Sequence, residues 1–245
     1  MNLFGLLGFP LGHSFSKTYF TEKFKAEKIN AEFRNFELED ITLMFRIIEE
    51  TPDLKGFAIT IPYKEKIIPF LDNISDEARA IGAVNSVKVE HTPAGFSLTG
   101  HNTDMAGFRD SLLHFIPHVP ERAFILGTGG AAKAVKYALT SLGVAVTSVS
   151  RTPTGIEIGY PEIIRQLDKT PLIVNTTPLG TWPHVENCPP IPYEHLTPNH
   201  YLFDLVYNPA VTTFMQKGIQ QGAKVHNGLE MLHLQAEYSW KIWNS

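Results

Sequence analysis

Short apolar runs punctuated by glycine and proline alternate along this chain with stretches whose apolar positions recur every three or four residues. The first pattern reads as buried strand and the second as amphipathic helix. Leu3-Phe4-Gly5-Leu6-Leu7 predicts a strand within residues 2–8. Phe20 and Phe24 then mark a helix over 17–27, for which Ser16 is placed as the N-cap. Residues 31–38 alternate, with Phe33 and Phe36 as core contacts, and 41–50 form a second amphipathic helix. Gly56 to Ile61 is a nearly continuous apolar strand, as in a sheet covered on both faces, and Pro62 after it suits the first turn of a helix. Ser75-Asp76-Glu77-Ala78 opens a helix, and strands 84–89 and 95–99 pair across a hairpin at 91–94. A helix to about Phe115 follows, capped by Thr103 or Asp104. Beyond it come strands at 124–126, 144–149, 172–174, 201–206 and 224–226. Helices fall at 130–142, at 212–221 and from Asn227 onward, with Pro-rich irregular chain at 183–198. Strand and helix alternate on both sides of Asp104, which predicts two α/β units.

One stretch carries more than periodicity. Phe124-Ile125-Leu126 runs into Gly127-Thr128-Gly129-Gly130-Ala131-Ala132, then into a helix with Val135, Leu139 and Leu142 on one side. Strand, glycine turn and helix in that order are the context of a G-x-G-x-x-G/A dinucleotide site. Gly127 permits the tight turn, Gly129 lets backbone approach a pyrophosphate, and Ala132 is small enough for helix to pack on strand. The free N–H groups of the helix would point at the phosphates. The same residues also suit an ordinary glycine-rich turn, and the next strand separates the readings. It ends in Ser150-Arg151-Thr152, and no acidic residue lies between Gly127 and Glu157 to hold a ribose 2′-hydroxyl. A guanidinium forms charge-assisted, bidentate bonds to phosphate, so NADP is favoured over NAD.

Composition narrows the remaining classes. The 245 residues are long enough for two modest domains, and 43% hydrophobic and 19% charged content with a net charge of −4 is that of an ordinary globular protein. No basic block suggests nucleic acid. Cys188 is the only cysteine, which excludes an intrachain disulfide or a thiolate zinc site and suits a reducing cytosol. The amino terminus lacks a basic signal-peptide region, and no apolar run reaches the roughly 20 residues that span a bilayer. A cytoplasmic protein without membrane contact is expected. The histidines show no metal-ligating pattern, and no metal is expected.

Several loops join strand ends to helices and carry reactive side chains. Gly8-Phe9-Pro10-Leu11-Gly12-His13-Ser14-Phe15-Ser16 follows the first strand. Thr60 and Lys64 sit at the carboxyl end of the 56–61 strand, where ligands of open α/β sheets bind. Lys64 alone is equally readable as an exposed helix-start lysine, Asp104 as a helix cap, Gln235 as a polar helix residue, and Tyr207 as packing under the Pro209 turn.

Taken in order, these segments resemble shikimate dehydrogenases over nearly the whole chain. Gly8-Phe9-Pro10-x-x-His13-Ser14-x-Ser16 resembles the family's substrate loop and Thr60-Ile61-Pro62-Tyr63-Lys64 its lysine segment. Gly82-Ala83-Val84-Asn85, Asn102-Thr103-Asp104-x-x-Gly107, the Gly127–Ala132 turn and Ser150-Arg151-Thr152 continue the likeness. Asn175-Thr176-Thr177-Pro178 and Gly228-x-x-Met231-Leu232-x-x-Gln235 complete it.

The resemblance implies an α/β substrate domain with a mixed sheet, a Rossmann-type NADP-binding domain, and an active site in the cleft between them. The boundaries implied are 1–103 plus 227–245 for the first and 104–226 for the second. It implies reversible reduction of 3-dehydroshikimate to shikimate with NADPH, by a monomer or homodimer acting on a small molecule. Lys64 and Asp104 would be catalytic. Ser14 and Ser16 would bind the substrate carboxylate; Thr60, Asn85 and Gln235 its ring and hydroxyls; Tyr207 would close over it. Gly127, Thr128, Gly129, Gly130, Ala131, Ser150, Arg151, Thr152, Asn175, Thr176 and Gly228 would hold the cofactor. Lys17 and Ala58 stand where the family commonly has proline and asparagine, and only ten residues follow Gln235, so its extra terminal helix is not expected. A quinate/shikimate dehydrogenase of the same fold and a non-catalytic NADP- or metabolite-sensing module are the rival readings.

Overall fold

The computed structural model describes residues 1–12 and 15–245. They form two compact units, Met1–Thr103 with Ala236–Ser245, and Asp104–Gln235.

The first unit contains β1 (Asn2–Gly8), α1 (Phe15–Ala26), β2 (Ala31–Glu37), α2 (Met44–Glu50), β3 (Leu54–Ile59), β4 (Asn73–Ile74), α3 (Asp76–Ile81), β5 (Ser86–Thr92) and β6 (Gly95–His101). It also takes the end of the last helix, α7 (Leu229–Trp243). Its sheet runs β2-β1-β3-β5-β6-β4. β1 is parallel to β2 and β3, while β5 is antiparallel to β3 and β6, so the sheet is mixed as expected.

The period-two alternation of a strand explains the two cores of this unit. Leu3 and Leu7 of β1 enter one, with Met44, Ile48, Leu54, Phe57 and Val87. Phe4 and Leu6 enter the other, with Phe20, Phe24, Phe33 and Trp243. Phe4 stacks on Trp243 at 5.4 Å between ring centres. Gly56 makes that fit possible, since a Cβ there would lie 2.3 Å from the Trp243 ring.

Two expectations for this unit are corrected. α1 begins at Phe15, so Ser16 lies in its first turn and is not the N-cap. No helix starts at Pro62: β3 ends at Ile59, and the Tyr63 N–H donates to the Thr60 carbonyl at 2.9 Å to close a turn. The Tyr63 ring is buried, with its hydroxyl donating to the Leu38 carbonyl at 2.6 Å. That anchor outweighs the local preference for a helical start. Ser75 caps α3 as expected, accepting from the Ala78 N–H.

The second unit begins within α4 (Thr103–Phe115) and continues through β7 (Arg122–Leu126), α5 (Gly130–Ser141), β8 (Ala145–Ser150) and β9 (Ile158–Gly159). β10 (Leu172–Asn175), β11 (Tyr201–Asp204), α6 (Thr213–Gln220), β12 (Lys224–Asn227) and the start of α7 complete it. The sheet order is β12-β11-β10-β7-β8-β9 and every pairing is parallel. Counted within the unit, this is the 6-5-4-1-2-3 order of the doubly wound dinucleotide fold. Phe124, Ile125, Leu172, Ile173, Val174 and Phe203 are fully buried, which accounts for their unbroken apolar runs. The short strands β4 and β9 carry too few residues to show a period. α7 joins the first unit at Ala236 rather than the expected 227, because Met231 packs in the core of the second.

Candidate active site

In the first unit the chain goes from β1 to β2 on one side and then to β3 on the other. That reversal makes the carboxyl ends of β1 and β3 a switch point, where open α/β sheets bind ligands. β1 ends at Gly8, which is tight against Thr60: a Cβ on Gly8 would lie 2.4 Å from Thr60 Cγ2. The Thr60 N–H donates to the Leu7 carbonyl at 3.0 Å, and the Phe9 N–H to the Ile61 carbonyl at 3.1 Å. Lys64 follows the Thr60–Tyr63 turn and is half-buried. Its carbonyl accepts from the Val84 N–H at 2.7 Å, which seats the lysine backbone beside Asn85.

Asn85 precedes antiparallel β5 and so reaches the same edge from the opposite direction. Its carbonyl accepts from Ile59 N–H at 2.8 Å. Its side chain is 2% exposed. Nδ2 donates to Thr103 Oγ1 at 2.9 Å, and Oδ1 accepts from the Thr103 N–H at 2.6 Å. Thr103 Oγ1 also shares a hydrogen bond with Ser239 Oγ at 3.0 Å. Thr60, Lys64 and Asn85 therefore lie on one edge of the mixed sheet. Ser16 is half-buried at the start of α1. Ser14 lies outside the described residues.

Asp104 is the next residue after Thr103 and lies inside the first turn of α4, buried at 7% exposure. It is past the cap position, since the helix begins one residue earlier at Thr103. Gln235 is buried on α7, with Nε2 donating to the Leu232 carbonyl at 2.9 Å. Gly107 of α4 has no room for a side chain there, since its Cβ would lie 2.9 Å from the Gln235 nitrogen.

In the second unit the strand order reverses between β7 and β10, and both expected cofactor loops leave the sheet at that point. Gly127 has φ +112°, and a Cβ on it would lie 2.7 Å from Thr176 Oγ1, so only glycine fits. Thr176 is held there by N–H and Oγ1 donation to the Leu126 carbonyl, at 3.0 and 2.7 Å. Gly129 caps α5 in extended backbone with open space where a Cβ would stand, and Gly130 begins the helix. Thr128 is exposed and Ala131 half-buried, while Ala132 turns into the core. This arrangement leaves N–H groups of the α5 start and free space beside Gly129, as a pyrophosphate requires.

β8 ends at Ser150, whose Oγ donates to the Thr152 carbonyl and accepts from the Thr152 N–H, at 3.1 and 3.2 Å. The two hydroxyl residues thus shape a turn that presents Arg151 outward. Among the described residues no carboxylate lies within ion-pair distance of Arg151.

Asn175 is fully buried. Its Nδ2 donates to Asp204 Oδ1 at 2.9 Å, and its Oδ1 accepts from the Thr177 N–H and Oγ1 at 3.0 and 2.6 Å. Asp204 also accepts from the Val206 N–H at 3.0 Å and from Thr212 Oγ1 at 2.6 Å. Burial pushes its carboxyl up to about 6, against the opposing effect of these hydrogen bonds. Tyr207 follows in the same loop at 36% exposure, its hydroxyl made less acidic by burial. Gly228 is buried, donates to the Val206 carbonyl at 3.2 Å, and would place a Cβ 2.1 Å from the Leu205 carbonyl oxygen.

Asp204, Thr212, Thr103 and Ser239 escaped the sequence reading as supports of the site. For Asp204 the available signal is an acid closing an apolar strand, a place where an unpartnered charge would be costly.

A family model described as the shikimate dehydrogenase substrate binding domain matches residues 6–87. Shikimate dehydrogenase (NADP(+)) of Carboxydothermus hydrogenoformans is 34% identical, over 98% of this chain and 91% of its own. That of Aquifex aeolicus is 36% identical over 99% and 91%. The crystal structure of shikimate dehydrogenase from Aquifex aeolicus is similar at a TM-score of 0.88, covering 99% of this chain and 92% of that one. Shikimate 5-dehydrogenase from Thermus thermophilus, in complex with NADP(H) and shikimate, is similar at 0.86 with 29% identity, covering 99% and 93%. The chain belongs to the shikimate dehydrogenase family.

Proposed function

We propose that the protein is an NADPH-dependent shikimate dehydrogenase, reversibly reducing 3-dehydroshikimate to shikimate in aromatic amino acid biosynthesis. The first unit binds the substrate and the second the cofactor. The observation that carries this reading is the gathering of Thr60, Lys64 and Asn85 on one sheet edge, in a chain whose other unit has the dinucleotide strand order and a glycine turn at its reversal. The Aquifex relative, an NADP(+) enzyme by name, spans both units.

When bound, NADPH supplies the hydride. The chain's own residues orient the ketone and manage its proton. Negative charge grows on the carbonyl oxygen during reduction, and the Lys64 ammonium stabilises it and donates a proton to it. Asp104 holds that ammonium and shares the proton in the reverse direction. Ser14 and Ser16, as neutral donors, orient the substrate carboxylate, and Thr60, Asn85 and Gln235 select its hydroxyl pattern. Tyr207 covers the substrate. Arg151 binds the 2′-phosphate, with Ser150 and Thr152 shaping its turn. Thr128, Gly129, Gly130 and Ala131 line the pyrophosphate, and the backbone of Asn175, Thr176 and Gly228 borders the nicotinamide end.

No helix among the described residues is long and apolar enough to cross a membrane, and none of their His, Cys, Asp and Glu side chains group as a metal site. We place the enzyme in the cytoplasm as a monomer or homodimer that contacts no nucleic acid.

The test is nicotinamide absorbance with shikimate and quinate, each with NADP and NAD. Turnover of shikimate with NADP above the other three pairs is expected. Preference for quinate or NAD would replace the reading with its quinate/shikimate rival. Cofactor binding without turnover of either acid would leave a sensing module.

A further inference from the structure

Asp204 closes β11 with no solvent exposure, and among the described residues no Lys, Arg or His lies within ion-pair distance. A carboxyl buried without a cation is an expensive way to fill a core. Its geometry shows another use. The donors it receives come from the ends of three segments: Asn175 at the end of β10, Val206 in the loop after β11, and Thr212 at the N-cap of α6.

The contact with Asn175 fixes a direction. An ionised carboxylate only accepts, so it draws the NH₂ of the Asn175 carboxamide toward itself. The amide oxygen is thereby turned to the opposite side, where it takes both the N–H and the Oγ1 of Thr177. Thr177 Oγ1 in turn accepts from the Leu179 N–H at 3.3 Å. Thr176 and Thr177 are the residues that crowd Gly127, at 2.7 and 3.2 Å from its absent Cβ. The relay thus runs from Asp204 to the wall of the β7/β10 reversal.

We infer that Asp204 is a positioning residue of the cofactor half, holding the Asn175–Thr177 loop in the shape that receives the nicotinamide end of NADPH. The inference rests on the NADP reading above. Asp204 acts through Asn175 and touches neither reactant. It leaves the Arg151 end of the cofactor untouched, since none of its contacts reaches β8.

The experiment measures dissociation constants of NADPH and of adenosine 2′,5′-bisphosphate, a probe for the Arg151 end, on the full chain. Asp204→Ala should weaken NADPH about tenfold or more and leave the bisphosphate within about twofold. Asn175→Ala should give the same selective loss, and the double variant should add little to either, because both interrupt one relay. Asp204→Asn should recover most of the affinity: its oxygen still accepts from Asn175 and Val206, and its NH₂ faces a hydroxyl that can accept. Equal weakening of both probes would make the role merely structural, and additive losses or unchanged NADPH binding would overturn the proposal. If Asp204→Ala does not fold, Thr177→Val interrupts the relay at its far end, and an unchanged ratio of the two constants would overturn it too. A wild-type chain that binds neither probe would instead sink the NADP reading.

Discussion

Thr103 donates its backbone N–H to Oδ1 of Asn85 over 2.6 Å, while its hydroxyl accepts from Asn85 Nδ2 and meets Ser239. The three polar side chains are buried together and hydrogen-bonded to one another, as buried polar groups must be. Thr103→Val keeps the shape and removes the hydroxyl. It should cost about 1–3 kcal/mol, lowering the melting temperature by roughly 2–10 °C for a protein of this size. Asn85 keeps the backbone N–H at Oδ1 but loses the acceptor of its Nδ2, so its aim loosens, and the KM for shikimate should rise while NADPH affinity holds. A variant with wild-type melting and KM would show that the network does not support the substrate side.

Lys64 is half-buried on a backbone tied to Val84, so its side chain can be shortened without disturbing the turn. Lys64→Ala should reduce kcat by about 10²–10⁴, with a much smaller change in the KM for shikimate. Steady-state kinetics decide it, and near-normal turnover would remove the lysine from the proton step.

Arg151→Ala should raise the KM for NADPH by about tenfold or more, the cost of a charged hydrogen-bonding partner. NADH should be used as before. An equal penalty on both cofactors would place the guanidinium away from the 2′-phosphate.

Two carboxyls, the buried Asp204 and the half-buried Glu237, pull stability in opposite directions with pH. Burial raises Asp204 from 3.8 to about 6, so the folded chain holds a proton there that the unfolded chain has released. Its contribution therefore falls as pH rises between those values, by at most about 3 kcal/mol. Burial also pushes Glu237 up, but hydrogen bonds from Tyr19 and Lys23 outweigh it and hold the group below its ordinary 4.5. Its contribution is present above that value and lost as pH falls. Urea midpoints measured from pH 3.5 to 7 should separate them. Asp204→Asn should abolish the loss on the rising side, and Glu237→Gln the loss on the acid side. A pH profile unmoved by either substitution would contradict both assignments.

The parts most legible in the sequence are those governed by near neighbours. The β7–Gly127–α5 unit follows from an apolar run, a residue that must take φ +112°, and a helix with Val135 and Leu139 inward. The mixed order of the first sheet is not local, and neither is the buried polar bonding of Asn85 to Thr103 or of Asn175 to Asp204. Those pairs are 18 and 29 residues apart, and only the strand order brings them together. The turn at Pro62 misled for the same reason: Tyr63 is anchored by Leu38, 25 positions earlier.

The stacking of Phe4 on Trp243 has a consequence for how the protein is made. Residues 104–235 are contiguous, so the second unit has its whole core as soon as that stretch has left the ribosome. The first unit has its central strand early but lacks the indole beside Gly56 until Trp243 has been translated. Its nascent sheet must wait with an open apolar face while a later-encoded neighbour finishes folding, which makes it the half most in need of chaperone protection.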